Sequence, residues 1–245
     1  MDIIALRHFY TSPMGRQVQR LVAARLRAVP SPPPDARVLG LGFATPWLDL
    51  YHGQQRSIFA FMPAHQGAAR WPADAPAATV LVDEGALPLP DGCIDLALVV
   101  HALELTPARR QMLAELWRVL APSGHVVFIV PNRTGLWARA ERTPFGHGRP
   151  FSRRQLQQLL TDAHFTLQQT AHLLFMPPWR LRLLRGSATT WERAGRLLFP
   201  GLSGLLLAEA VKQVPALRKE RKPALLVPGW QPLPTPLAPA PRNSA

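Results

Sequence analysis

The chain has one cysteine, Cys93, among 245 residues. Neither a disulfide framework nor a cysteine metal cluster is therefore available to it. No apolar run reaches the roughly 18 residues that a bilayer span requires, and the opening stretch MDIIALRHFY lacks the apolar core of a secretory signal. A cytoplasmic protein, soluble or peripheral, is expected. H-E-x-x-H is missing and the eight histidines are scattered, so no metal site is expected. A nucleophile elbow is also missing, since GLSGL at 201–205 falls one residue short of G-x-S-x-G. Cys93 follows a PDG turn and reads as a small turn or core residue.

Acidic residues are the other scarcity. There are 15 Asp and Glu against 28 Lys and Arg, a net charge of +13. The surplus is uneven: residues 1–130 carry 11 basic and 10 acidic side chains, whereas residues 176–245 carry 11 and 3. A basic C-terminal half attracts nucleic acid, anionic lipid or an acidic substrate, although a solvated arginine-rich surface has the same composition.

What is present is an alternation of strands and helices. Ser12 and Pro13 are a cap and first-turn residue for a helix over 13–29, with Met14, Val18, Leu21 and Val22 on one face. Short apolar runs at 37–42, 57–62, 78–83, 94–100 and 125–130 predict strands buried on both faces of a parallel sheet. A helix is expected over 107–120, capped by Thr106, and another over 153–163, where Ser152 and Gln155 form a capping box. Residues 165–174 read as a strand and 203–213 as a last strand or short helix. The sum is an α/β fold: a doubly wound, mostly parallel sheet with helices on both faces. We expect one domain over 1–214, with its core at 37–165 and a basic extension at 166–214. Within that extension 179–199 is amphipathic, and the proline-rich 215–245 reads as a disordered tail.

Ligands of such sheets bind at the carboxyl ends of the strands. The stretch VLGLGFATP at 38–46 leaves the first strand with Gly40 and Gly42 but continues Phe43-Ala44-Thr45-Pro46. G-x-G-x-x-G needs glycine where Thr45 stands, and the ribose-binding acid about 20 residues on is replaced by Met62. A P-loop lysine is missing too, so neither NAD nor ATP is expected.

Residues 79–132 carry the most specific signal. Asp83, LPLPDGCID at 87–95, His101-Ala102-Leu103-Glu104, RVLAPSG at 118–124 and VPN at 130–132 follow one another in order. RPFSRRQLQQLLTDAHF comes next at 149–165. This succession resembles the class I S-adenosylmethionine-dependent methyltransferases, in particular the small bacterial enzymes of the "methyltransferase domain 11" pattern. The resemblance spans about 37–165 and implies a Rossmann-like methyltransferase fold, S-adenosylmethionine as cofactor and no metal. It assigns Gly40, Leu41, Gly42, Phe43, Met62, Asp83 and Glu84 to the cofactor, with Asp83 accepting from the adenine amine. His101 would face the sulfonium or the substrate. The departures are two lost carboxylates, at Gly40 and at Met62, each worth roughly 1.5–3 kcal/mol as a charge-assisted hydrogen bond.

Substrate contacts are expected from Tyr10, ahead of the first helix, and from Arg142, His147 and Arg149 in RAERTPFGHGRPF at 139–151. The acceptor, a small molecule or macromolecule, would then be anionic. Two functions follow. One is methyl transfer, which leans on positioning and needs no strong base. The other is a binding protein on the methyltransferase fold that has given up catalysis and engages a membrane, nucleic acid or protein through its basic half.

Overall fold

The structure is a computed structural model that describes residues 1–52, 56–178, 192, 195 and 200–213. The segment 179–199 lies almost wholly outside the described residues, and the tail 215–245 lies entirely outside them.

The chain opens with two helices, α1 (Ile3–Thr11) and α2 (Pro13–Leu26). Sequence reasoning missed α1 and placed Tyr10 ahead of the first helix. Its signal was Asp2, whose carboxylate accepts from the Ala5 amide at 2.8 Å as an N-cap. Ser12 ends α1 and caps α2, with Pro13 in the first turn of α2. Seven strands among the described residues form one sheet: β1 (Arg37–Gly42), β2 (Ser57–Pro63), β3 (Thr79–Val82), β4 (Ile94–Val100), β5 (Leu120–Pro131), β6 (Phe165–Leu173) and β7 (Leu205–Lys212). Their order is β3-β2-β1-β4-β5-β7-β6. Pairings from β3 to β5 are parallel, and β7 runs antiparallel to both β5 and β6.

The 203–213 segment is thus a strand, inserted between β5 and β6 and buried at every position. Its two charges are held accordingly. Glu209 accepts from His125 at 3.0 Å and from Gln169 at 2.5 Å. Lys212 donates to the Leu120 carbonyl at 2.7 Å and lies 4.1 Å over the Trp117 ring.

Helices α4 (Arg109–Val119) and α5 (Arg153–Asp162) cover one face of the sheet, where Met112, Leu113, Leu116, Leu156 and Leu160 pack on Leu39, Leu41, Val99 and Phe128. Helices α1, α2 and the short α3 (Thr45–Leu48) cover the other, where Leu6, Tyr10, Val18, Val22 and Trp47 pack on Val38, Met62, Leu98 and Val127. The capping box at Ser152 and Gln155 forms as expected. Thr106 does not cap α4: the helix starts two residues beyond the proline, and the Thr106 hydroxyl accepts from the Ala108 amide while donating to Glu84.

The sheet reverses its winding between β1 and β4, and there the chain leaves β1 through Gly42 at φ +84°. A Cβ at Gly42 would run into the Val100 carbonyl, whereas one at Gly40 would meet side-chain atoms alone, the end of Leu48 and the Cβ of Ala44. Gly42→Ala is therefore expected to cost roughly 2–4 kcal/mol, through backbone strain and a backbone clash together. Gly40→Ala should cost clearly less, because Leu48 can move. Urea unfolding of the two variants measures the difference; equal losses would refute it.

Candidate active site

Three strand ends build the site. At the end of β1 the Phe43 amide donates to the Val100 carbonyl at 2.8 Å, which ties the loop 42–45 to the end of β4. At the end of β2 Met62 is wholly buried, and its sulfur accepts from the Ala69 amide at 3.2 Å. At the end of β4 the chain turns through His101 at φ 53°, a left-handed conformation unusual outside glycine. Gln66 holds that turn by donating to the His101 carbonyl at 2.6 Å.

Helix α1 crosses the crevice between β1 and β4. Tyr10 points into it and is 3% exposed. Its ring stacks on Phe43 at 5.4 Å and meets Trp47 edge-on at 5.4 Å. Its hydroxyl lies 2.8 Å from His101 Nε2, and His101 Nδ1 lies 3.1 Å from Glu104 Oε1. Burial, and secondarily the Glu104 charge, push the Tyr10 phenol well above its ordinary value, so it stays a donor. An ionised Glu104 only accepts, so Nδ1 carries the ring hydrogen and Nε2 accepts from Tyr10. The other Glu104 oxygen is buried without a partner.

The remaining candidates divide. Leu41 belongs to the core on the α4 and α5 face. Asp83 is exposed at the end of β3, where it accepts from the Gly85 amide at 2.8 Å. Glu84 beside it turns inward to Thr106 at 2.8 Å. Arg142 and His147 line a cavity of about 560 Å³ between the α1–α2 corner and the 141–147 segment, together with His8, Phe9, Met14 and Met176. Arg149 is exposed and outside that lining; its amide donates to the Glu104 carbonyl at 2.8 Å. Phe9 joins the two regions, because its ring lines the cavity and packs edge-on against Tyr10 at 5.0 Å. Sequence reasoning did not single out Glu104 as a functional residue, although it stood in a quoted motif, and it had no signal for Gln66. Among the described residues no group of three His, Cys, Asp or Glu is placed to hold a metal, and no helix is long and apolar enough to cross a membrane. Burial pushes the Cys93 thiol up, which disfavours the thiolate.

Residues 39–128 match the family described as methyltransferase domain. That stretch, over a third of the chain, carries the pattern of a methyltransferase domain. No curated protein matches it by sequence. Solved structures share its fold. A chain from the complex between the Haloferax volcanii Trm112 methyltransferase activator and a methyltransferase is 16% identical, with TM-score 0.61, 87% of this chain and 99% of that one covered. Geranyl diphosphate C-methyltransferase from Streptomyces coelicolor is 16% identical, with TM-score 0.57 and coverage of 80% and 81%. A SAM-dependent methyltransferase from Archaeoglobus fulgidus is 21% identical, with TM-score 0.54 and coverage of 79% and 94%.

The crevice between β1 and β4 is filled by this chain's own Tyr10 and Phe43 rings, while the Asp83 carboxylate stands exposed at the end of β3.

Arg118 fixes the loop that follows Asp83. It donates to the carbonyls of Leu87 and Leu89, to Asp91 and, through two nitrogens, to Glu115. These bonds hold the Glu115 carboxyl below the usual carboxylate range; burial opposes the shift and the Leu87 amide assists it. A depressed folded pKa adds stability that is complete above the unfolded value, about 4.3, and is lost as pH falls through the folded one. Arg118→Ala should therefore cost about 1–3 kcal/mol at neutral pH, and the deficit relative to wild type should shrink below about pH 4. Urea unfolding across pH measures this; a deficit independent of pH would contradict it.

Proposed function

We propose that this protein is an S-adenosylmethionine-dependent methyltransferase that takes its acceptor into the cavity beside α1. The cofactor is held at the crevice between β1 and β4 by the 40–43 loop and Asp83, and when bound it supplies an electrophilic methyl group. The observation that carries the reading is the crevice itself. It lies at the topological switch point, where open α/β sheets bind ligands, and an acceptor-sized cavity adjoins it, within the roughly 300–1,000 Å³ of small-molecule sites.

The cavity wall is largely apolar and carries one guanidinium, Arg142, and one carboxylate, Glu141, with the His8 and His147 imidazoles beside them. Its apolar surface supports an acceptor with an apolar body, and Arg142 supports an anionic end on it. Tyr10 is the cover of this site: its withdrawal opens the crevice to solvent and uncovers His101. The filled crevice also favours a second reading, a binding protein on the same fold that works through its basic C-terminal half.

Calorimetric titration of the full chain with S-adenosylmethionine separates the two. Wild type is expected to bind, and Tyr10→Ala to bind at least tenfold more tightly, because its crevice no longer has to be vacated. Asp83→Ala should weaken binding tenfold or more, the loss of one charge-assisted hydrogen bond. If wild type and Tyr10→Ala are both folded by circular dichroism and neither binds at about 1 mM cofactor, a limit corresponding to roughly −4 kcal/mol, the second reading stands.

A further inference from the structure

The carboxyl end of the sheet carries a surplus of positive charge. Between β5 and the first turn of α5, residues 133–154 hold six arginines, Arg133, Arg139, Arg142, Arg149, Arg153 and Arg154, against one acid, Glu141. All six are exposed, and none forms an ion pair among the described residues. By contrast, Arg118 is bound to Glu115 and Asp91, and Arg56 to the carbonyls of Pro32 and Pro33.

Hydrogen bonds draw this segment into one rim. The Arg133 amide donates to the Phe151 carbonyl at 2.9 Å, and the Phe151 amide to the Pro131 carbonyl at 3.0 Å. The Asn132 side-chain amide donates to the Gly201 carbonyl at 3.2 Å, and the Thr134 hydroxyl donates to the same carbonyl. The turn at 200–202 is thereby held against the end of β5. Two leucines stand out on these segments, Leu136 at 42% exposed and Leu202 at 48%. A single exposed leucine needs no explanation; two among unpaired arginines do. Arg142 is both exposed and part of the cavity lining, so the rim reaches the cavity's mouth.

We propose that this rim docks on an anionic bilayer surface, with the guanidinium groups at lipid phosphates and Leu136 and Leu202 at the headgroup–acyl boundary. The mixture of side chains selects the partner. Guanidinium forks pair with phosphate through two parallel hydrogen bonds, and their apolar stems lie along apolar surface while the charge stays at headgroup depth. Aliphatic side chains beside basic ones suit the interface of an anionic membrane. A nucleic acid would instead be met by exposed aromatic rings on which bases stack, and the exposed large apolar side chains among the described residues are all aliphatic. Docking brings the cavity's mouth to the lipid, so an acceptor with an apolar body and an anionic end enters from the bilayer. That entry route rests on the methyltransferase reading; the docking surface does not.

The test is flotation of the full-length chain with vesicles of phosphatidylcholine and phosphatidylglycerol in about a two-to-one ratio. Wild type is expected to float with them, less so as salt rises, and to ignore vesicles of phosphatidylcholine alone. Arg133→Gln with Arg139→Gln should weaken binding about 25-fold, since each basic side chain near such a surface contributes about fivefold. Leu136→Ser with Leu202→Ser should weaken it about fivefold. Val80→Ser with Leu81→Ser, exposed on β3 at the far edge of the sheet, should leave it unchanged. Leu136→Ser alone serves should the leucine pair fail to fold by circular dichroism. Binding that survives both the arginine and the leucine changes overturns the proposal, because another basic segment then carries it. So does equal binding to neutral vesicles, or no binding to either kind. A loss with the arginine pair but none with the leucine pair overturns it too, since that is the response of a nucleic-acid or acidic-protein site. Calorimetric titration with S-adenosylmethionine is read separately: vesicle binding with the expected losses, in a chain that binds no cofactor, keeps the docking surface and overturns the methyltransferase reading together with the entry route.

Discussion

The amide of Phe43 donates to the carbonyl of Val100 across the point where the sheet reverses. That bond needs the chain to leave β1 through a glycine, because a side chain at Gly42 would meet the same carbonyl. Much else depends on it. With the loop drawn against β4, Phe43 faces the crevice, and its ring is the surface on which Tyr10 stacks. Met62 and Trp47 close the sides, and both are buried. The crevice is thus shaped by backbone geometry at the switch point and lined by whichever side chains the loop presents.

The glycines of this loop have kept their structural role. Gly42 lets two strand ends meet, and Gly40 makes room for Leu48 and Ala44. Neither observation depends on a ligand. The loop's aromatic residue, by contrast, has no part in forming β1, and its burial is supplied by α1. Tethering a phenol next to the crevice raises its local concentration far above that of a free ligand. A chain that covers its site in this way keeps its apolar walls dry until α1 moves, and opening the site costs the Tyr10 contacts together with its hydrogen bond to His101.

Much of the fold was legible in the sequence because period and punctuation agreed with the tertiary answer. The strands at 37–42 and 94–100 were near-continuous apolar runs, and each proved to be central in the sheet. Ser152 and Gln155 announced α5 by local chemistry alone. Thr106 misled because its hydroxyl had a stronger claim elsewhere, on Glu84 from the preceding loop. Residues 205–212 read as strand or helix because full burial removes alternation, and only pairing with β5 and β6 decides. Helix α1 was missed because its buried residues, Ile3, Leu6, Phe9 and Tyr10, lie in a short stretch mixed with exposed Ile4.

The site was legible in a different way. Motif order located the strand ends and so located His101 and Asp83, but motifs say nothing about what else reaches the same point. Tyr10 and His101 are 91 residues apart in the chain and 2.8 Å apart in the fold. Glu104 follows His101 by one helical turn's spacing, yet its charge matters only because α1 seals it from water. In an open crevice a carboxylate there would be solvated and unremarkable. Under Tyr10 it is a buried acceptor with one hydrogen bond to an imidazole and one oxygen left over. The same closure that excludes ligands therefore gives the His101–Glu104 pair its polarity, since a carboxylate orients an imidazole more firmly as the local dielectric falls. A ligand that replaces Tyr10 and keeps water out inherits that polarity, whereas one that leaves the crevice wet does not.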